Sequence, residues 1–274
     1  MTKRIMRLPA HFLLLIVGIV TIFPFYWMTI TGLKPNDAVI EFPPILYPTA
    51  FEWDNFTQVF KLLPMGLAYL NSIEVALFMT LGTLFTSSLA AFAFSKMRFP
   101  FQGPLFAILL MTMMVPGQVT MIPMYLVFAK LGWVDTHLPL WVPAVFLNAY
   151  GVFMIRQFIY AIPGDYIESA KIDGCGYFRI YWNIMLPLIK PILVTLGLFT
   201  FVGSWNNYFG ALIYLNTETK FTVPLIIAAF RSVYTVQWGL LMAASTVSVF
   251  PIVIMYLFSQ RYFLQSIALS GVKG

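Results

Sequence analysis

Long uninterrupted apolar runs constrain this chain more than any other feature. Crossing the hydrocarbon core of a bilayer takes about 20 consecutive apolar residues in a helix, and six stretches qualify, at about 10–33, 66–95, 104–129, 138–162, 184–215 and 239–264. Across 274 residues, 60% are hydrophobic and only 9% charged, where a soluble protein carries about a quarter charged. That leaves too little polar surface for a water-soluble globule. Aromatics, at 18%, suit lipid-facing walls and interfacial belts. The expected fold is therefore an all-α membrane protein with six transmembrane helices.

Orientation follows from the excess of Lys and Arg on cytoplasmic loops. With six spans both termini share a side. That side collects Lys3, Arg4, Arg7, Lys96, Arg98, Arg156, Lys171, Arg179, Lys190, Arg261 and Lys273, eleven of the sixteen basic residues. Both termini are thus expected in the cytoplasm, with outer loops at about 34–65 and 216–238. The net charge of +6 lies in short gaps between apolar runs rather than along one face, so nucleic acid is not an expected partner. The first run is longer than the apolar core of a signal peptide and lacks an Ala-x-Ala site after it, so a retained helix is expected.

Several chemistries are disfavoured. Cys175 is the only cysteine, and His11 and His137 are the only histidines, which leaves no metal cluster to assemble. No Gly-x-x-x-x-Gly-Lys-Ser/Thr phosphate loop occurs, so any ATP chemistry belongs to another chain. Glu74 is the one carboxylate inside a predicted span and lies near its outer end. Ion-coupled secondary transporters need ionisable groups at the midplane, and no catalytic set converges for an intramembrane enzyme.

Local features refine the picture. Small residues over 80–94 allow close helix packing. Pro116-Gly117-Gln118 and Pro123 interrupt the third span, a break tolerated only against protein or a watery cavity. Residues 53–60 read as a short interfacial helix with Asp or Asn near its start. Trp205, Asn206, Asn207 and Tyr208 in the fifth span combine amides with aromatic faces, a mix suited to sugars but equally to an interhelical polar cluster.

The most informative segment joins the fourth and fifth spans, at about 163–183. Pro163-Gly164 ends one helix, and Asp165 caps a new one, complementing its dipole. Ile167, Ala170 and Lys171 share a face, Gly174 after Asp173 provides a left-handed stop, and a second helix begins at Tyr177. The result is a helix-turn-helix whose mixed face suits a groove on a soluble partner.

Glu168-Ser169-Ala170, Gly174 and Ile184-x-Leu186-Pro187 match the signature of binding-protein-dependent ABC importer permeases, with every spacing kept and Ser169 in place of the middle Ala. Asn71-Ser72, the run 90–96, Pro116 through Leu126, Trp205-Asn206-Asn207, Trp238-Gly239 with 242–244, Gln260–Phe263 and Gly271–Gly274 extend the likeness. The chain resembles the carbohydrate-uptake branch, in particular the smaller permease subunit of maltose-type transporters. The resemblance implies a single ABC-transporter transmembrane domain over 1–274 that is a non-catalytic subunit of the bacterial or archaeal inner membrane. It implies a heterodimer with a second permease, two ATP-binding subunits holding ATP and Mg, and an extracytoplasmic solute-binding protein. Glu168, Ser169, Ala170, Asp173, Gly174, Leu186 and Pro187 would dock the ATPase, and the tail Gly271, Val272, Lys273 and Gly274 would reach between its two copies. The solute would be a sugar or oligosaccharide, with a polyol, amino-sugar or glycerol-phosphate-type compound as the alternative. Where that branch commonly has Trp-Asn-Asp, this chain has Trp-Asn-Asn at 205–207.

Overall fold

The computed structural model describes residues 7–48, 50–233 and 237–271. Helices dominate because lipid offers the backbone no hydrogen-bond partners, so each span must satisfy its own. The helices of seven residues or more are, in order, α1 (Arg7–Gly32), α2 (Asp54–Leu62), α3 (Met65–Lys96), α4 (Gln102–Thr112), α5 (Gly117–Lys130), α6 (Leu138–Phe146), α7 (Ala149–Tyr160), α8 (Asp165–Ile172), α9 (Tyr177–Leu188, including a π-helical turn), α10 (Lys190–Trp205), α11 (Tyr208–Tyr214), α12 (Val223–Val233) and α13 (Trp238–Gly271). No strand occurs among the described residues. Four stretches are long and apolar enough to cross a membrane: His11–Gly32, Met65–Lys96, Leu138–Tyr160 and Trp238–Tyr262. Two bent pairs, α4 with α5 at 96° and α9 with α10 at 77°, raise the number to six if each pair is one span.

The bends have identifiable causes. Pro116 precedes α5 in an extended conformation, which ends the preceding helix and forces the chain to restart. Pro191 sits in the first turn of α10, where its missing N–H costs nothing, and it favours a new start at Lys190 over continuation from Leu188. The fifth apolar run, read from sequence as one stretch over 184–215, is therefore three helices. The outer loop expected over 216–238 contains α12.

The chain divides into two compact units, residues up to 66 with 225–251, and 67–224 with 252 onward. In the first unit, α1 meets the start of α13 at very close range. A Cβ added to Gly32 would lie 2.9 Å from the backbone nitrogen of Ala243 and 3.0 Å from its Cα. The carbonyls left over where α1 ends are taken up by Asn55, whose Nδ2 donates to Gly32 O at 3.0 Å and to Lys34 O at 3.1 Å. Lys34, only 1% exposed, donates to Ile45 O at 2.5 Å and stands 4.4 Å from the Trp27 ring. Burial pushes its ammonium pKa down.

In the second unit, α3, α7, α8, α9 and α10 share a core that includes Phe92, Ile155, Ile159, Ile167, Ile180, Tyr181 and Leu196. The hydroxyls of α3 tie it to its neighbours. Thr83 donates to Ala144 O at 3.2 Å and Thr86 to Val145 O, satisfying carbonyls orphaned at the end of α6. Ser88 and Tyr181 share a hydrogen bond of 2.7 Å. The small-residue stretch expected from sequence to pack helices thus does so through its hydroxyls.

Candidate functional site

Three places in the second unit gather polar groups. The first is the segment between α7 and α10. Helix α8 is held down by Ile167 and Ala170, both 5% exposed and inserted into the core. Gly164, rather than Asp165, is its N-cap, and no side chain caps it. Asp165 and Glu168 instead stand in the first turn, where their charge complements the helix dipole. At the other end the amide of Cys175 returns to Ala170 O at 2.9 Å and that of Gly174 to Lys171 O at 3.0 Å. This pair of bonds is a Schellman closure, and it sets Gly174 at φ +77°, a conformation that a side chain disfavours.

The chain then enters α9, whose turn Tyr181–Met185 widens to a π-helix, with the Leu186 amide reaching Tyr181 O. Pro187 follows directly. It has no N–H to give the preceding turn, and the widened turn accommodates its ring. Glu168, Ser169, Asp173, Gly174 and Pro187 are exposed, whereas Leu186 is half-buried and Ala170 buried. Ile172 at 87% and Phe178 at 73% are among the most exposed apolar side chains described. Two clefts flank α8. One, of 520 Å³, is lined by Lys96, Arg98, Tyr160, Glu168, Lys171 and Tyr177 among others. The other, of 510 Å³, includes Asp165, Ser169, Asp173 and Ile184.

The second place is a cavity of 470 Å³ where two helix breaks converge. Gly117, Gln118 and Met121 line it from the start of α5, Asn207 and Phe209 from the start of α11, and Tyr214 from the end of α11. Asn207 Oδ1 accepts the Gly210 amide at 3.0 Å and so caps α11. Of the four residues singled out at 205–208, only Asn207 lines this cavity. Trp205, 2% exposed, stacks on Phe201 at 5.9 Å and packs against Tyr69 at 5.7 Å. Asn206 is exposed, and Tyr208 touches Phe209 edge to face at 5.5 Å. Sequence reading passed over Phe209 and Tyr214. The signal for Tyr214 was present, since Asn207, Gly210 and Tyr214 follow helical spacing.

The third place is a clasp on the 216–223 loop. Asp135, at φ +60°, receives the amides of Asn216 and Thr217, both at 2.9 Å, the Thr217 hydroxyl at 2.7 Å and the Lys220 ammonium at 2.9 Å. Asn71 donates to Thr219 O and Phe221 O, at 2.9 and 3.0 Å, and Ser72 accepts the Val223 amide at 2.8 Å. His137 Nε2 meets Lys220 O at 2.9 Å, and its Nδ1 lies 3.5 Å from the half-exposed carboxylate of Glu74.

The hydrogen bond from Thr217, followed by those from Lys220 and the backbone amides, holds the Asp135 carboxyl well below the usual carboxylate range. A carboxyl depressed on folding contributes stability above its unfolded value near 4 and loses it as pH falls through the lower folded value. The clasp is therefore fully formed at neutral pH and opens only in strong acid. Asp135→Asn should speed hydrogen exchange at amides 216 and 217 on the order of tenfold at pH 7. Unchanged exchange would show that the loop is held by other bonds.

Helices throughout the described residues, four of membrane-crossing length and apolarity together with two bent apolar pairs, are the architecture of a membrane protein. Residues 82–269 match the family model described as binding-protein-dependent transport system inner membrane component, and the chain belongs to that family. It is accordingly an inner-membrane protein of the ABC importer permease class. It is similar to the arabinooligosaccharides transport system permease protein AraQ of Bacillus subtilis, 29% identical over 98% of this chain and 96% of that one. It is also similar to the lactose transport system permease protein LacG of Rhizobium radiobacter, at 28% over 99% and 98%. Its fold matches a chain in the crystal structure of a bacterial ABC transporter involved in the import of the acidic polysaccharide alginate. The TM-score is 0.79, with 23% identity, covering 96% of this chain and 98% of that one.

Proposed function

We propose that this chain is one half of the translocation pathway of an ATP-driven importer for a sugar or oligosaccharide. The observation that carries the substrate class is the cavity between the breaks at Pro116 and Asn206-Asn207. The Gln118 and Asn207 amides suit sugar hydroxyls, and the Phe209 and Tyr214 rings suit pyranose faces. The oligosaccharide and lactose relatives support the same class. The six apolar runs form a single transmembrane domain with both termini and the α8 segment in the cytoplasm, as the placement of Lys and Arg requires.

Helix α8 docks the ATP-hydrolysing partner. Glu168, Ser169 and Asp173 face outward, Ala170 anchors the helix to the spans, and Gly174 closes it. Leu186 and Pro187 return the chain to the membrane. Exposed Ile172 and Phe178 supply apolar area for a groove on that partner. ATP and Mg bind on two such partner subunits, and this chain is non-catalytic. A second permease completes the pathway, and an extracytoplasmic solute-binding protein delivers the sugar. The tail from Gly271 reaches between the ATPases in this reading; Val272, Lys273 and Gly274 lie outside the described residues.

The test has two arms. Affinity purification of the chain from its own membranes should bring down an ATPase and a second permease. Identifying the ligand of the cognate binding protein then gives the sugar for uptake assays. With it, Gln118→Ala combined with Asn207→Ala should lower uptake on the order of tenfold, two hydrogen bonds being lost. ATP hydrolysis by the complex should persist. Wild-type uptake by the double variant would remove the cavity from the pathway while leaving the docking role standing.

A further inference from the structure

The 520 Å³ cleft beside α8 carries three basic residues to which docking gives no role. Lys96, at the end of α3, Arg98, just beyond it, and Lys171 on α8 all line it. Glu168 is the single carboxylate among the lining residues. Three cations thus face one anion.

The hydrogen bonds show what remains unused. Lys96 Nζ donates to Ile162 O at 2.9 Å, and Lys171 Nζ donates to the Tyr177 hydroxyl at 3.0 Å. Arg156 Nη2 donates to the Tyr160 hydroxyl at 2.8 Å, and its guanidinium is fixed 3.9 Å from the Phe106 ring and 4.5 Å from that of Tyr160. Each phenol oxygen therefore accepts from a cation, which leaves its own O–H free to be donated elsewhere. Both ammonium groups keep unused hydrogens. Arg98 is exposed. Two phenol donors, two ammonium groups and an arginine fork converge on one hollow. That is the donor set of a phosphate site, in which charge-assisted bonds to anionic oxygens dominate.

Position suggests the source. Lys96 is the last residue of a membrane-length helix, so the cleft opens where lipid headgroups lie. Basic pockets between membrane helices take such headgroups. We propose that this cleft binds a phosphate group, carried by an anionic phospholipid and seated beside the helix that also docks the ATPase. The proposal rests on the cleft alone and stands whether or not α8 docks a partner.

The full chain, purified in mild detergent, is exchanged into micelles containing phosphatidylglycerol and phosphatidylcholine. Retained lipid is read by native mass spectrometry, with and without millimolar inorganic phosphate. The wild type should keep phosphatidylglycerol over phosphatidylcholine. Arg98→Gln with Lys171→Gln should cut that retention on the order of tenfold. Glu168→Gln, which removes the opposing charge, should increase it, and Lys130→Gln, outside the cleft, should leave it unchanged. Retention that survives inorganic phosphate assigns the lipid, and displacement by inorganic phosphate assigns a soluble phosphate instead. Equal retention in the wild type and the double variant, or an equal fall in Lys130→Gln, overturns the site.

Discussion

Uptake should fall to background in a Gly174→Asp variant that still inserts into the membrane at normal levels. Gly174 holds φ +77°, and a side chain there costs about 1–2 kcal/mol of local strain. Asp tolerates the left-handed region better than most residues, so strain alone would be modest. The new carboxylate, however, would sit beside Asp173 at the C-terminal end of α8, where the helix dipole already disfavours negative charge. Both effects act on the two bonds that close α8, from Gly174 to Lys171 and from Cys175 to Ala170. An altered closure redirects the exposed row from Tyr166 to Asp173 without disturbing Ile167 and Ala170 in the core. Gly174→Ala, with strain but no charge, should give an intermediate loss. Wild-type transport by Gly174→Asp would sink the docking assignment.

Gly32→Leu should compromise the fold itself. The atoms facing a Cβ at residue 32 are the backbone nitrogen and Cα of Ala243. No rotamer change can withdraw them, so the two helices must separate. Overpacking of this kind costs about 1–3 kcal/mol where side chains can adjust, and more is expected against backbone. Separation would also pull the Gly32 and Lys34 carbonyls from Asn55. The detergent-solubilised variant should melt about 5 °C or more below wild type and accumulate poorly in membranes. Gly32→Ala should show a smaller loss. Equal melting of Gly32→Leu and wild type would mean that this close approach is not maintained in the membrane.

Local features were readable from residues alone. The lengths of the apolar runs set the type of element, because only a helix satisfies its backbone in lipid, but not the number of helices into which each run is divided. Pro116-Gly117 announced a break, and Asp173-Gly174 announced the stop of α8, since both depend on backbone permissions carried by one or two residues. The spacing of Ile167 and Ala170 identified the buried face of that helix. Features that depend on distant partners were not readable. Nothing near Asp135 in sequence indicates that Thr217 and Lys220, more than eighty residues on, will surround its carboxylate. An Asp or Asn near the start of 53–60 reads as a local cap, whereas no side chain caps α2 and Asn55 serves the end of a different helix. Lys34 begins the outer loop expected over 34–65, and its burial against Trp27 is not readable from that position. Gly164 takes the cap position expected for Asp165, and Asp165 stands one residue further on, in the first turn. The cavity was half legible: Asn207 and Gln118 stood out singly, but only the two bends bring them to one place.

Helix α3 runs without interruption over 32 residues. Near one end Asn71 and Ser72 grip the 219–223 strip; at the other, Lys96 holds the Ile162 carbonyl, three residues before α8 begins. Between residues 72 and 96 a helix extends about 36 Å, roughly the depth of the bilayer core. A rod of that length, clamped at both ends, has little freedom to shorten or buckle. A tilt imposed on the α8 side is therefore delivered to the 219–223 strip as a displacement. The reverse holds equally: a shift of the 219–223 strip is returned along the same rod to the segment that leads into α8.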